Sequence, residues 1–276
     1  TGMILTVTLN AAIDKSLSVP SFRLGRRHRT VEQRSTAGGK GVNVARLLAS
    51  LGQPVIATGF VGGATGTRIV EQLTAESILN GFVHIAEESR TNISVLDPTT
   101  GDQTEINERG PEVNPAEIEL FVEKLTYLAR GAAICVLAGS LPRGVDPSIY
   151  ATLIAELKRL DVVTIVDSEG EAMKLAVRAE PTVISPNMAE AEELVGHEFN
   201  DRDEQVGALA ELRALGSQEA IITLPDGCVA SVLTDGEVNE HRVWIEPREA
   251  VASVGAGDAF LAGYVAARYG GSSPEE

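Results

Sequence analysis

The 276 residues are 43% hydrophobic and 22% charged, with a formal net charge of −16. That length is enough for one large domain with a full core. The charge excludes a partner read through its phosphate backbone, which needs a basic face, so no nucleic acid is expected. No apolar run reaches the roughly 18 residues of a membrane helix, and no membrane partner is expected either. Cys135 and Cys228 lie in or beside apolar strand patterns without a metal or disulfide spacing. They read as buried thiols of a reducing compartment, so the cytoplasm is the expected location. Thr1 and Gly2, ahead of Met3, read as an appended scar, with no leader before the first strand.

In chain order, "MILTVTLN" is a short apolar strand, and residues 12–37 carry short alternating strands. "GVNVARLLASLG" sets Val44, Leu47, Leu48 and Leu51 at helical spacing and stops at Gly52. "PVIATGFVG" is a strand and "GTRIVEQLTAES" a helix, and residues 91–110 read as a hairpin around "PTTGD". Helix "NPAEIELFVEKLTYLAR", strand "AAICVLAG", helix "DPSIYATLIAELKRL" and strand "VVTIVD" follow. Next come strand "TVIS", helices "MAEAEELVG" and "DEQVGALAELRALG", and strand "EAIITL". This alternation predicts an α/β fold: a doubly wound, mainly parallel sheet flanked by helices, built from residues 3–11, 38–90 and 111–276. Residues 12–37 and 91–110 are expected to form a small β-sheet lid over one edge. The closing "GGSSPEE" has the form of a helix start, so a further helical segment is expected beyond it.

Several stretches mimic known motifs without matching them. "GFVGGATG" lacks the GxG core of a dinucleotide turn, and "GGKGVN" fails the GxxxxGK[ST] pattern because Gly41 follows Lys40. His28, His84, His197 and His241 have no metal-ligand spacing. Other stretches carry chemistry. "TAGGKGVNVA" puts Gly38 and Gly39 ahead of a helix, with Lys40 for a phosphate and Asn43 for hydroxyls in its first turn. A tight turn plus a helix start explains the same residues without a ligand. In "TLNAAID", Asn10 and Asp14 end the first strand, where an open α/β sheet binds ligands, although a capping pair would read alike. "SPNMAEAEEL" sets Asn187 and Glu190 across a strand-to-helix junction, as oxygen ligands for Mg²⁺ or as a plain cap. In "SVGAGD", Gly255, Ala256 and Gly257 would turn N–H groups towards a transferring phosphoryl group, with Asp258 receiving the proton. "FRLGRRHRTVEQR" is the one conspicuously basic stretch and reads mostly as a solvated arginine face.

Together, "GGKGVNVARLLASLG" and "SVGAGDAFLAG", in this order, resemble the PfkB (ribokinase-like) carbohydrate kinases along essentially the whole chain. "TLNAAID", "SRTNISV", "TEINERGP" and "LAGSLPRGV" are similar to the branch acting on hexose phosphates. The resemblance implies ATP and Mg²⁺ as cofactors, a sugar phosphate as the other small-molecule partner, and a homodimer through the lid. It implies phosphorylation of fructose 1-phosphate to fructose 1,6-bisphosphate, with tagatose 6-phosphate or fructose 6-phosphate as alternatives. A non-catalytic sugar-phosphate-binding protein is the rival of another class. Carried over by position, Asp14, Gly38, Gly39, Lys40 and Asn43 would contact the sugar. Arg90, assisted by Lys40 and Arg29 and near Ser140, would hold its phosphate. Asn187 and Glu190 would attend the metal, and Asn187, Thr223, Gly227, Gly255 and Gly257 the nucleotide. Gly255, Ala256 and Gly257 would form the anion hole and Asp258 the base. Ala11, Ser185 and Pro225 depart from the family pattern, which has proline, lysine and glycine there.

Overall fold

The computed structural model describes residues 2–244, 256–273 and 276. β1 (Met3–Thr8), β2 (Ala12–Ser18) and β3 (Glu32–Gly38) lead into α1 (Lys40–Ser50), and β4 (Val55–Gly62) leads into α2 (Gly63–Ala75). Two short strands, β5 (Leu79–Asn80) and β6 (Val83–Ile85), precede β7 (Arg90–Leu96) and β8 (Gln103–Ile106). Helix and strand then alternate through α3 (Pro115–Ala129), β9 (Ala132–Ala138), α4 (Ile149–Arg159), β10 (Val163–Asp167) and α5 (Gly170–Arg178). β11 (Val183–Ile184), α6 (Met188–Val195) and α7 (Arg202–Leu215) follow. β12 (Glu219–Leu224), β13 (Gly227–Thr234), β14 (Glu237–Trp244) and α8 (Ala256–Tyr269) complete the described elements.

Buried on both faces, β1 has no polar side to give to water, and it sits inside the main sheet. That sheet has ten strands in the order β14-β13-β12-β11-β10-β9-β1-β4-β5, with β6 also paired to β4. Its pairs are parallel from β5 across to β12; β12–β13 and β13–β14 are antiparallel. Helices α1, α2 and α8 cover one face through Val42, Leu48, Ile69, Leu73 and Leu261. On the other face, α3 to α7 bury Phe121, Leu153, Met173, Ala191 and Leu209. The doubly wound α/β class read from the sequence is the observed one. A second sheet of four strands, ordered β3-β2-β7-β8, is built from the two segments that broke the βα rhythm. β2 is antiparallel to β3 and parallel to β7, and β7 is antiparallel to β8.

Some details differ from the sequence reading. α4 begins at Ile149, three residues later than the pattern suggested, because Asp146 folds back to accept from the N–H and hydroxyl of Ser148. α5 and the antiparallel edge of β13 and β14 were not read. α5 is a single short amphipathic run, and β14 is mostly exposed, without apolar alternation.

The strand order reverses at β1, which neighbours β4 on one side and β9 on the other. Such a switch point leaves a crevice beyond the carboxyl ends of the strands. Close backbone approach tightens that end. Gly59 pairs with Thr8 at φ +149°, and a Cβ on it would lie 1.8 Å from the Thr8 carbonyl oxygen. Gly59→Ala must therefore distort the β1–β4 ladder or its own backbone. Urea unfolding should register a loss of about 2–4 kcal/mol; an unchanged midpoint would mean the ladder has slack there.

Candidate active site

Beyond the ends of β1, β9 and β10 lies a cavity of about 180 Å³, lined by Thr8, Asn10, Lys40, Arg90, Asn92, Asn107, Gly139, Ser140, Ser168, Glu169 and Glu190 among others. A larger cleft of about 560 Å³ is lined by Asn187, Thr223, Pro225, Gly227, Ala256, Gly257 and Phe260 among others. The N-terminus of α6 joins the two, since Asn187 faces the cleft and Glu190 the cavity.

α1 begins where β3 ends, and it brings Lys40 and Asn43 to the crevice. Lys40 Nζ stands 3.1 Å from Asp167 Oδ1 at the end of β10. The side chain of Asp167 is 8% exposed and that of Lys40 is 42% exposed. Burial works against the Lys40 ammonium, but the facing carboxylate more than offsets this and raises it. Asp167 is itself pushed up by burial, against the pull of Lys40. Next to this pair the Gly139 carbonyl accepts from the hydroxyls of Tyr150, at 2.7 Å, and Ser168, at 3.0 Å, which fixes the floor after β9.

Asp258, in the first turn of α8, accepts from Asn43 Nδ2 at 3.1 Å. Burial pushes its carboxyl above the ordinary aspartate range, against Asn43 and Lys40, while Asp167 and Asp14 add to the rise. The first N–H groups of α8, at Ala256, Gly257 and Asp258, have no partner within the helix. Gly255 lies outside the described residues.

Asp14 on β2 accepts from Asn92 Nδ2 on β7 at 3.2 Å. Burial raises its carboxyl too, opposed by Asn92, Arg90 and Arg46. Gly38 is required opposite it: a Cβ there would sit 1.9 Å from Asp14 Oδ2. Arg90 opens β7 and is anchored by its Nε to the Asn10 carbonyl at 3.0 Å and by its Nη1 to the Glu108 carbonyl at 3.2 Å. Asn10, 4% exposed, donates to the Arg109 carbonyl and to Ser140 Oγ. These bonds tie the segments that follow β8 and β9 to the end of β1.

Asn187 and Glu190 form a reciprocal capping box on α6: Asn187 Oδ1 accepts from the Glu190 N–H at 2.8 Å, and Glu190 Oε1 from the Asn187 N–H at 2.9 Å. The cap reading is thus realised, and among the described residues Glu190 Oε2 has no hydrogen-bond partner. Burial raises Glu190, with Asp167 and Glu169 adding to that and Lys40 opposing it. Among the described residues no three His, Cys, Asp or Glu side chains form a metal cage.

The structure thus gathers Asp14, Gly38, Gly39, Lys40, Asn43, Arg90, Ser140, Glu190 and Asp258 around one crevice, with Asn187, Thr223, Gly227, Ala256 and Gly257 along the neighbouring cleft. Arg29 is not among them: it is exposed in the connection between β2 and β3 and lines neither chamber. Sequence reasoning missed Asp167, Asn92 and Ser168. For Asp167 the signal was present, a carboxylate closing the buried strand "VVTIVD" at a sheet's carboxyl end. The false dinucleotide motif is explained as well, since the start of α2 receives the chain's own Glu88, whose Oε1 accepts from the N–H and hydroxyl of Thr65.

The family model described as pfkB family carbohydrate kinase matches residues 6–276. Tagatose-6-phosphate kinase of Staphylococcus epidermidis is 35% identical over 268 residues, which span 95% of this chain and 84% of that protein. 1-Phosphofructokinase of Borreliella burgdorferi is 32% identical over 274 residues, 99% of this chain and 87% of that one. Among solved structures, the tetrameric inhibited form of phosphofructokinase-2 from Escherichia coli is similar, with a TM-score of 0.92 and 29% identity, covering 99% of this chain and 90% of that one. Fold, crevice and likeness define a carbohydrate kinase. The chain belongs to the pfkB family.

The Lys40–Asp167 pair gives a test of the crevice's electrostatics. Lys40→Met strands a nearly buried carboxylate, at a cost of about 1–3 kcal/mol near pH 7 after discounting for the partial exposure of Lys40. The folded-state carboxyl of Asp167 is already raised, and losing Lys40 raises it further. A raised acid favours the folded state at low pH and disfavours it as pH climbs above its unfolded value. The stability gap between native and variant should therefore be full at neutral pH and close as Asp167 protonates. A gap independent of pH would assign the loss to packing.

Proposed function

We propose that this kinase transfers the γ-phosphoryl group of ATP to the 6-hydroxyl of fructose 1-phosphate, giving fructose 1,6-bisphosphate and ADP. The observation that carries this reading is a small polar cavity with an anchored guanidinium, Arg90, on one wall and Lys40 on another, beside the buried carboxylate of Asp258. Two of the nitrogens of Arg90 are spent on backbone carbonyls, which fixes the third, Nη2, as a donor to the phosphate already on the sugar. Asn92, Asn107 and Ser140 supply further hydrogen bonds there. Asp14 accepts from sugar hydroxyls.

In the reaction Asp258 takes the proton of the attacking hydroxyl as the oxygen–phosphorus bond forms and the bond to the β-phosphate oxygen breaks. The N–H groups of Ala256 and Gly257, on the cleft side, bear the charge that develops on the equatorial oxygens, in the anion hole to which the sequence also assigns Gly255. Thr223 and Gly227 border the nucleotide. The carboxylates fit Mg²⁺: with no three-residue cage among the described residues, the ion would be held by Glu190 Oε2, water and the phosphates, as this cation commonly is. When bound, it neutralises the phosphate oxygens and holds them for in-line transfer. The four-stranded sheet acts as a lid that excludes water, and its exposed Leu96 and Ile106 suit burial against a second copy of the chain.

A 6-phosphate substrate is the second reading, favoured by the 35% identity to a tagatose-6-phosphate kinase. It keeps the mechanism and moves the substrate phosphate to the other end of the sugar. ADP release with fructose 1-phosphate, fructose 6-phosphate, tagatose 6-phosphate and ribose separates the readings. The highest kcat/KM is expected with fructose 1-phosphate. Binding of a sugar phosphate without turnover would make the protein a non-catalytic sensor.

Asp258→Asn should lower kcat by roughly 10²–10⁴-fold while the KM for the sugar phosphate stays near its native value. Because burial raises Asp258 and the base form is the active one, kcat should fall with decreasing pH at a midpoint above that of an ordinary aspartate. Undiminished turnover in the variant removes Asp258 from this role.

A further inference from the structure

Arg46 takes no part in the chemistry above, yet it is spread across three elements. On α1, three residues after Asn43, its Nε donates to both carboxylate oxygens of Glu76, the residue that caps the end of α2, at 3.2 Å each. Its Nη2 donates to the carbonyl of Ala37, near the end of β3, at 2.6 Å. Its Nη1 donates to Asn43 Oδ1 at 3.4 Å. The same amide of Asn43 then donates through Nδ2 to Asp258 at 3.1 Å. With side-chain exposures of 27% for Arg46 and 33% for Glu76, the pair is only partly reached by water.

A primary amide held between a guanidinium and a carboxylate has one favourable orientation. The guanidinium can only donate, and an ionised carboxylate can only accept. Turning the amide over would set NH₂ against the guanidinium and oxygen against the carboxylate, losing both bonds for two repulsions. We infer that Arg46 is a positioning residue: by occupying Oδ1 of Asn43 it holds the amide's NH₂ on the carboxylate of Asp258. The kinetic consequence rests on Asp258 being the base; the geometric one does not.

Four groups from three elements bear on Asp258. Asn43 and Lys40 from α1 favour its ionised form, while Asp167 from β10 and Asp14 from β2 oppose it. Arg46 is faced by Glu76 from α2, and its own charge acts on Asp14. It therefore has two routes to the base, through the amide of Asn43 or through its field at Asp14, and a double-mutant cycle separates them.

The experiment is a ¹³C NMR titration of protein labelled in its aspartate carboxyls, run beside the pH profile of kcat. The Asp258 signal is identified by its loss in Asp258→Asn, and thermal denaturation checks that each variant is folded. Arg46→Met should move the Asp258 titration up by about half a pH unit or more, since the carboxylate loses a fixed donor. Asn43→Ala should move it at least as far, and the double variant no further than Asn43→Ala alone. Arg46→Lys keeps the positive charge but not the guanidinium fork that spans Glu76, Ala37 and Asn43, and should leave the titration displaced. An unmoved titration in Arg46→Met, additive shifts in the double variant, or full restoration by lysine would each overturn the inference. If the titration moves as expected while the acid limb of kcat does not follow it, the positioning role stands and Asp258 is not the base.

Discussion

One ammonium group acts on three of the carboxylates that meet in this protein's crevice. Lys40 favours the ionised forms of Asp167, Glu190 and Asp258 together, and burial raises all three carboxyls against it. The fold exists, in effect, to bring these groups to one point: β10 ends in Asp167, α6 begins beside Glu190, α8 begins beside Asp258, and α1 begins with Lys40. Three helix N-termini facing the same crevice add partial positive charge that no side chain supplies. Groups so close titrate as a set, and a change in one alters the ionisation of the others. A chain of net charge −16 can thus receive anionic ligands at a site that is itself rich in carboxylates.

The second sheet belongs to the same arrangement. β2 and β7 lie parallel and side by side, so Asp14 and Asn92 meet across the ladder. Arg90, at the head of β7, is tied to Asn10 at the end of β1. In the proposed reading, Asp14 and Arg90 on the small sheet attend the sugar phosphate, and Asp258 on α8, which packs on the large sheet, attends the transfer. Movement of the one against the other would carry Asp14 and Arg90 as a unit relative to Asp258.

Much of this was legible in the sequence, for identifiable reasons. α1 announced itself because Val44, Leu47 and Leu48 recur at helical spacing, and α3, read as one helix, proves to be capped by Asn114 and Glu117 around Pro115. β14 was not, because its residues alternate between exposed and half-buried with little apolar content. In the site, glycine turns at helix starts pointed to Lys40 and Asp258, although a tight turn before a helix would account for the glycines alone. Asn92 and Arg46 were invisible for the opposite reason: one sits in a strand and one on a helix flank, and their partners come from distant segments. Arg29 stands exposed in the connection between β2 and β3, outside the lining of both chambers.

The capping box at α6 ties the fold to the proposed chemistry in a way that bears on how such a chain can change over generations. Glu190 has one oxygen committed to the backbone of Asn187 and the other open to the cavity. Replacing it removes the oxygen that the proposed reading gives to Mg²⁺ and breaks one half of the capping box of an eight-residue helix in the same step, while Asn187 Oδ1 still accepts from the backbone N–H of residue 190. A lineage relaxing towards mere ligand binding cannot shed this carboxylate neutrally. Its persistence in a descendant would record helix stability as much as catalysis.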